Sequence, residues 1–221
     1  MKKGLLIVIS GPSGTGKGTI CRELISKNKL WMSVSATTRS PRKGEVDGVN
    51  YHFFTEETFK AKVKKKDFLE YAKVYGNYYG TPKSEVLKAI DEGKDVVLEI
   101  DIQGALKVKE AYPKGVFIFI LPPSMEELKN RIIKRGSETP ESLMTRFKSA
   151  YKEINYVSKY NYAVINDTIE CAVKKIENII TAERCRVDRI KDEILSSKEG
   201  ITYEQLDDKS ICCGFIKKSR K

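Results

Sequence analysis

Apolar positions along this chain fall into two rhythms. Residues 5–9, 95–100 and 116–121 are dominated by apolar side chains with no polar alternation, and Tyr162-Ala163-Val164-Ile165 is a separate short run that offers a further strand. Runs of this length and composition predict parallel strands buried on both faces. Between them the apolar spacing turns helical. Helices are expected over 17–28, over 83–92 up to Gly93, over 102–111 before Pro113, and over 124–134 up to Gly136. Ser124 and Glu127 have the spacing of a capping box. Thr139 followed by Pro140 predicts another helix start. Asp167 and Glu170 predict a cap for a helix near 168–194. Strand and helix therefore alternate, as in a parallel α/β fold.

Two regions break that rhythm. Residues 35–82 are rich in Tyr, Thr, Arg and Gly, with short alternating stretches such as Tyr51-His52-Phe53-Phe54 and 68–75. They predict a small mixed or antiparallel insertion. Residues 126–150 are charged and helical around Gly136, which predicts a movable lid. The core is then expected from 1–34, 83–125 and 151–195. From residue 196 the pattern decays into a C-terminal extension with a basic end and no assignable role, Cys212 and Cys213 included.

The first apolar run feeds Gly11-Pro12-Ser13-Gly14-Thr15-Gly16-Lys17-Gly18-Thr19. A strand, a glycine-rich turn and a lysine opening a helix are the parts of a phosphate-binding loop. Gly11, Gly14 and Gly16 let the backbone turn its N–H groups inward as an anion nest. Lys17 adds a positive charge, and the helix N-terminus points at the same anion. Gly18 stands where the usual motif has Ser or Thr, so the hydroxyl that reaches Mg²⁺ is missing, and Thr19 or a water must substitute.

Composition narrows the picture. The chain has 221 residues, enough for one domain with insertions or two small ones. No run approaches the roughly 18 apolar residues of a membrane span. The N-terminal apolar stretch is short and runs directly into the loop, so it reads as a buried strand rather than a leader peptide. Five cysteines with no C-x-x-C pair and a single histidine, His52, argue against a zinc site and for reduced thiols in the cytoplasm. The net charge of +11 fits a polyphosphate substrate, nucleic acid or simply a lysine-rich surface. No motif that reads RNA or DNA accompanies it.

A second constellation carries more chemistry. Arg39 and Arg42 flank Pro41, and paired guanidinium forks suit a phosphate monoester. Tyr51 can donate a hydroxyl to the same group. Glu70 and Glu99 are carboxylates near predicted strand ends, able to accept from the N1–H and 2-amino edge of guanine, a donor pair that adenine lacks.

On Gly11–Thr19, Ser35–Glu45, Gly76–Thr81, Glu99–Gly104 and Arg131, Arg135-Gly136 and Arg146, the chain resembles the guanylate kinases, a family of nucleoside monophosphate kinases, over residues 4–190. The resemblance implies a parallel-sheet P-loop kinase core with a mixed α/β GMP-binding insertion and a helical lid. It implies transfer of the γ-phosphate of ATP to GMP and dGMP, in purine metabolism and GMP recycling. Ser35, Arg39, Arg42, Tyr51 and Tyr79 would hold the GMP phosphate, and Glu70, Thr81 and Glu99 would read guanine. Gly11, Pro12, Ser13, Gly14, Thr15, Gly16, Lys17, Gly18 and Thr19 would hold ATP phosphates, with Asn166 and Asp167 near adenine. Lys17, Arg131, Arg135, Arg146 and Asp101 would serve catalysis. No metal ligand is assigned directly: Mg²⁺ would ride on phosphates and water, with Asp101 or Thr19 in its shell. ATP and GMP or dGMP are the expected partners, with no nucleic acid or membrane, in a monomer or homo-oligomer. Taken singly, Arg131 and Arg135 also fit surface ion pairs with Glu127, and Tyr51 and Tyr79 fit core packing. Competing functions are a kinase for another nucleoside monophosphate, a protein-binding module on the same scaffold, and a nucleic-acid binder.

Overall fold

The three long apolar runs form parallel strands with both faces covered, whereas Tyr162–Ile165 forms an edge strand with only Val164 buried. The computed structural model describes residues 3–74, 76–134 and 140–191, apart from the side chains of 134 and 140–146. The chain divides into two units, Met1–Glu177 and Asn178–Lys221. The order of elements is β1 (Leu6–Ser10), α1 (Lys17–Lys27), β2 (Leu30–Met32), β3 (Ala36–Thr37), β4 (His52–Phe53), α2 (Glu56–Lys64), β5 (Phe68–Val74) and β6 (Asn77–Pro82). There follow α3 (Lys83–Asp91), β7 (Asp95–Glu99), α4 (Ile102–Ala111), β8 (Val116–Leu121), α5 (Met125–Lys134), α6 (Pro140–Ile154), a 3-10 helix (Asn155–Lys159), β9 (Tyr162–Ile165) and α7 (Ile169–Arg184).

One sheet has the order β2-β7-β1-β8-β9, all parallel. Leu6 and Val8 of β1 pack with Val96, Leu98 and Phe117 of its neighbours and with Val86, Ile90 and Val108 of α3 and α4. Ile7 and Ile9, alternating to the opposite face, are also wholly buried. Each such side chain contributes about 1.5–3 kcal/mol on burial. Because every strand runs the same way, the chain segments after Ser10, Glu99, Leu121 and Ile165 gather at one edge, where α/β sites form.

The second sheet lies within 35–82, in the order β4-β3-β6-β5. It is mixed: β3 runs parallel to β4 and antiparallel to β6, and β5 and β6 form a hairpin. Phe59 of α2 anchors it, stacking on Phe68 at 4.5 Å and on Tyr78 at 5.4 Å between ring centroids. Leu128 and Ile132 of α5 bury against Ala150 of α6.

Local capping follows the expected chemistry with two changes. The Glu127 N–H donates to Ser124 Oγ at 3.0 Å, but the Glu127 carboxylate turns down the helix to Arg131. Thr168, not Asp167, caps α7, accepting from the Cys171 N–H at 3.3 Å. α7 also stops at Arg184, short of the expected 194. In the second unit, the Cys185 N–H turns back to Ala182 O, and residues 187–191 start a new turn held by Arg189 on buried Glu183. β2 was not predicted; it is three residues long and is defined only by its register on β7. Residues 192–221, with Cys212 and Cys213, lie outside the described residues. Among the described residues no helix is long and apolar enough to cross a membrane.

Candidate active site

The turn between β1 and α1 has Gly11, Gly14 and Gly16 at φ of 141°, 89° and 89°. Successive amides there curl around a concave centre. Lys17 Nζ folds back over it, donating to Gly11 O at 2.5 Å and Pro12 O at 2.9 Å. Gly16 is also a point of close approach, since a Cβ there would lie 2.5 Å from Asn166 Nδ2.

A cavity of about 270 Å³ opens beside this loop. Gly11, Ser13 and Lys17 line it from the loop, Ser35, Tyr51, Glu70 and Tyr79 come from the insertion, and Glu99 ends β7 with Asp101 just beyond it. The structure thus brings together nine of the expected residues from three separate stretches. Glu153 of α6 lines the same cavity and was not anticipated. Burial raises its carboxyl, opposed by Lys17 and the Ser13 N–H. Its signal in the sequence was helical spacing: Glu153 lies three positions after Ala150, the residue that packs on α5.

Glu70 is 6 % exposed, and burial pushes its carboxyl up to about 7, with the Thr81 hydroxyl bond opposing and Asp101 adding to the rise. The cause is local pairing. Glu70 and Thr81 are opposite each other in the hairpin, and Thr81 Oγ1 donates to Glu70 Oε1 at 2.8 Å. Thr81 is fully buried and holds Glu70 from behind instead of lining the cavity. Asp101 caps α4, accepting from the Gly104 N–H at 2.8 Å. A Cβ on Gly104 would be 2.8 Å from Glu70 Oε2, so Glu70 lies against the first turn of that helix.

Glu99 faces the other way. A Cβ on Gly18 would lie 3.2 Å from Glu99 Oε1 and 3.4 Å from Oε2. The carboxylate therefore stands against the position where the usual loop hydroxyl would be. It also lies near Tyr51, whose phenol is raised first by burial and then by Glu99. Thr19, the expected substitute, is exposed and accepts from Arg22 at 3.4 Å.

The arginines divide. Arg39 Nη2 donates to both carboxylate oxygens of Glu45 at 2.9 and 3.0 Å, and the guanidinium sits 5.6 Å from the Tyr51 ring centroid. Arg42 is exposed, with its backbone N–H on Glu45 at 2.7 Å. Neither lines the cavity. Arg131 donates from Nε to Glu127 at 2.7 Å and from Nη2 to Asn166 O at 3.4 Å. Arg135 lies outside the described residues, as does the side chain of Arg146 on α6. Asn166 is buried against the loop, whereas Asp167 is exposed and pairs with Lys175 at 3.4 Å.

Comparison with known proteins bears on this geometry. A family model described as guanylate kinase matches residues 3–183. The chain is 74% identical over 208 residues to a guanylate kinase of Clostridium tetani, covering 94% of this chain and 100% of that protein. It is 72% identical to one of Clostridium acetobutylicum, covering 94% of this chain and 99% of that protein. It is also similar to the crystal structure of guanylate kinase from Anaplasma phagocytophilum, at a TM-score of 0.76 and 35% identity over 91% of this chain and 98% of that one.

Proposed function

The chain belongs to the guanylate kinase family, and on that premise we propose that it transfers the γ-phosphoryl group of ATP to GMP and dGMP, releasing ADP and GDP or dGDP. One observation carries the assignment to a guanine nucleotide. A buried carboxylate, Glu70, and the phosphate loop lysine, Lys17, line a single cavity. A carboxylate there accepts from guanine N1–H and the 2-amino group, and adenine offers no such pair. Asp101, beside Glu70, joins it in reading the base, while Glu99 belongs to the phosphate end. These two carboxylates thus exchange the roles that the sequence suggested.

The loop amides and Lys17 hold the ATP phosphates, and Tyr51, Tyr79, Ser35, Arg39 and Arg42 bring the GMP phosphate toward them. A GMP phosphate oxygen bonds to Pγ as the bond from Pγ to the ADP oxygen breaks, and charge spreads over the equatorial oxygens. Arg131, with Arg135 and Arg146, supplies cations from the lid. Closure around both nucleotides keeps water from Pγ.

The donor set fits Mg²⁺, because Glu99 sets carboxylate oxygens, hard ligands, close against Gly18 in the first turn of α1. Glu99, together with phosphate oxygens and water, would hold the ion, which would neutralise charge between the phosphates. Cys21, Cys171 and Cys185 are free thiols, which accords with a reducing, cytoplasmic setting.

The test is ADP release with ATP and Mg²⁺ against GMP, dGMP, AMP, UMP and CMP. Turnover confined to GMP and dGMP is expected. Turnover with AMP at a similar rate would overturn the guanine assignment. A folded protein inert toward all five would favour a binding module.

A further inference from the structure

Asn166 is 2 % exposed and follows the last residue of β9. Its backbone N–H donates to Leu121 O at 2.8 Å, which continues the β8–β9 ladder by one step and fixes its place. Its Nδ2 donates to Thr15 O at 2.7 Å. Its own carbonyl accepts from Arg131 Nη2 at 3.4 Å. One residue therefore touches both the phosphate loop and an arginine of α5.

The Thr15–Gly16 peptide is held at its carbonyl oxygen by Asn166 Nδ2. A trans peptide holds C=O and N–H on opposite edges of one plane. With Thr15 O turned to Asn166, the Gly16 N–H points away from it, into the nest. Rotation of this plane by half a turn would aim the carbonyl oxygen at the bound phosphates instead. Glycine accepts either sign of φ, so Gly16, at φ 89°, does not prevent the inversion itself. Nor can a side chain at 16 prevent it, because its Cβ would lie 2.5 Å from Asn166 Nδ2. The carboxamide NH₂ donates to Thr15 O, and this bond favours the peptide orientation with the carbonyl turned to Asn166.

We propose that Asn166 is a positioning residue for phosphoryl transfer: its carboxamide locks the Thr15–Gly16 peptide with the N–H toward the ATP phosphates, and its carbonyl seats Arg131 beside them. This rests on the reading that the loop holds ATP. It replaces an adenine contact by Asn166 with action through the loop backbone.

The test compares wild type with Asn166→Asp and Asn166→Ala. Asn166→Asp keeps the shape but sets an oxygen against Thr15 O. Asn166→Ala leaves room for a water to serve the carbonyl. Binding of ATP, of GMP without ATP, and of inorganic tripolyphosphate is measured by titration calorimetry, with Tm alongside. Asn166→Asp is expected to weaken ATP and tripolyphosphate equally, by about tenfold or more, from loss of one buried hydrogen bond and its replacement by repulsion. GMP binding stays within about twofold of wild type, because only the loop backbone is disturbed. Asn166→Ala falls between the two. Weakened ATP with unchanged tripolyphosphate would overturn the proposal in favour of an adenine contact. Equal weakening of GMP and ATP with a lower Tm would reduce Asn166 to a role in folding, and unchanged binding of all three would remove it from the site. Wild type that binds neither ATP nor tripolyphosphate would refute the ATP site itself.

Discussion

On the proposed reading of the site, Glu70 should couple GMP binding to pH. Guanine presents two donors, so the base requires the ionised carboxylate, yet burial raises the Glu70 carboxyl to about 7 in the free protein. Asp101 reinforces the rise, and the Thr81 hydroxyl and Lys107 oppose it. If only the ionised form binds, the apparent KM for GMP is multiplied by about 11 at pH 6 and about 1.1 at pH 8, roughly a tenfold change. The GMP phosphate, with a second pKa of about 6, adds about twofold at the acid end. Glu70→Gln should raise KM at every pH and leave only that twofold slope.

Stability moves in the opposite sense. The folded value lies above the ordinary carboxyl value of 4.5, so the native state binds more protons between 4.5 and about 7. Stability linked to Glu70 is present below 4.5 and is lost as pH rises through about 7. The loss is at most about 3.4 kcal/mol. Nucleotide-free Glu70→Gln should therefore melt several degrees above wild type at pH 8, with the gap closing toward pH 5. Initial rates over pH 6–8 with ATP saturating, paired with melting curves, check both halves. A flat wild-type KM, or a Glu70→Gln profile matching wild type, would refute the reasoning.

Other consequences follow from the same geometry. Gly104→Ala sets a methyl 2.8 Å from Glu70 Oε2 and should raise the KM for GMP about tenfold while leaving that for ATP. Equal shifts in both would show general misfolding. Arg131→Ala should lower kcat by about 10³-fold or more. Its ion pair to Glu127 is partly exposed, so Tm should move by less than about 2 °C; a larger drop would assign Arg131 to structure. Cys21 is fully buried, and burial pushes its thiol far up, so alkylation followed by peptide mapping should mark Cys171 and Cys185 and spare Cys21 until the protein unfolds. Early labelling of Cys21 would contradict that packing.

Much of the scaffold was legible because its signals are local. The strand starting at Leu6, the glycine spacing and Lys17 are consecutive, so strand, nest and helix could be read in one pass. The helices expected over 83–92 and 102–111 end within a residue of the expected bounds, two residues before Gly93 and Pro113. Weaker signals failed where packing rather than spacing decides. β2 exists through its register with Asp95–Val97 of β7, and the end of α7 depends on Glu183 and Arg189.

At the site, the sequence by itself determined which chemistries are present: an anion nest with its lysine, paired arginines, phenols, and carboxylates near strand ends. It could not say which carboxylate faces what. Glu99 and Asp101 are two residues apart, and only the end of β7 and the start of α4 turn one toward Gly18 and the other toward Glu70. The same holds for Thr81, eleven residues from Glu70 yet opposite it in the hairpin. Glu153 and Asn166 reach the loop from more than a hundred residues away. Residue type and short spacing are written in the chain, whereas direction and long-range proximity arise only when strands pair and helices pack, because burial and register then choose one neighbour for each polar group.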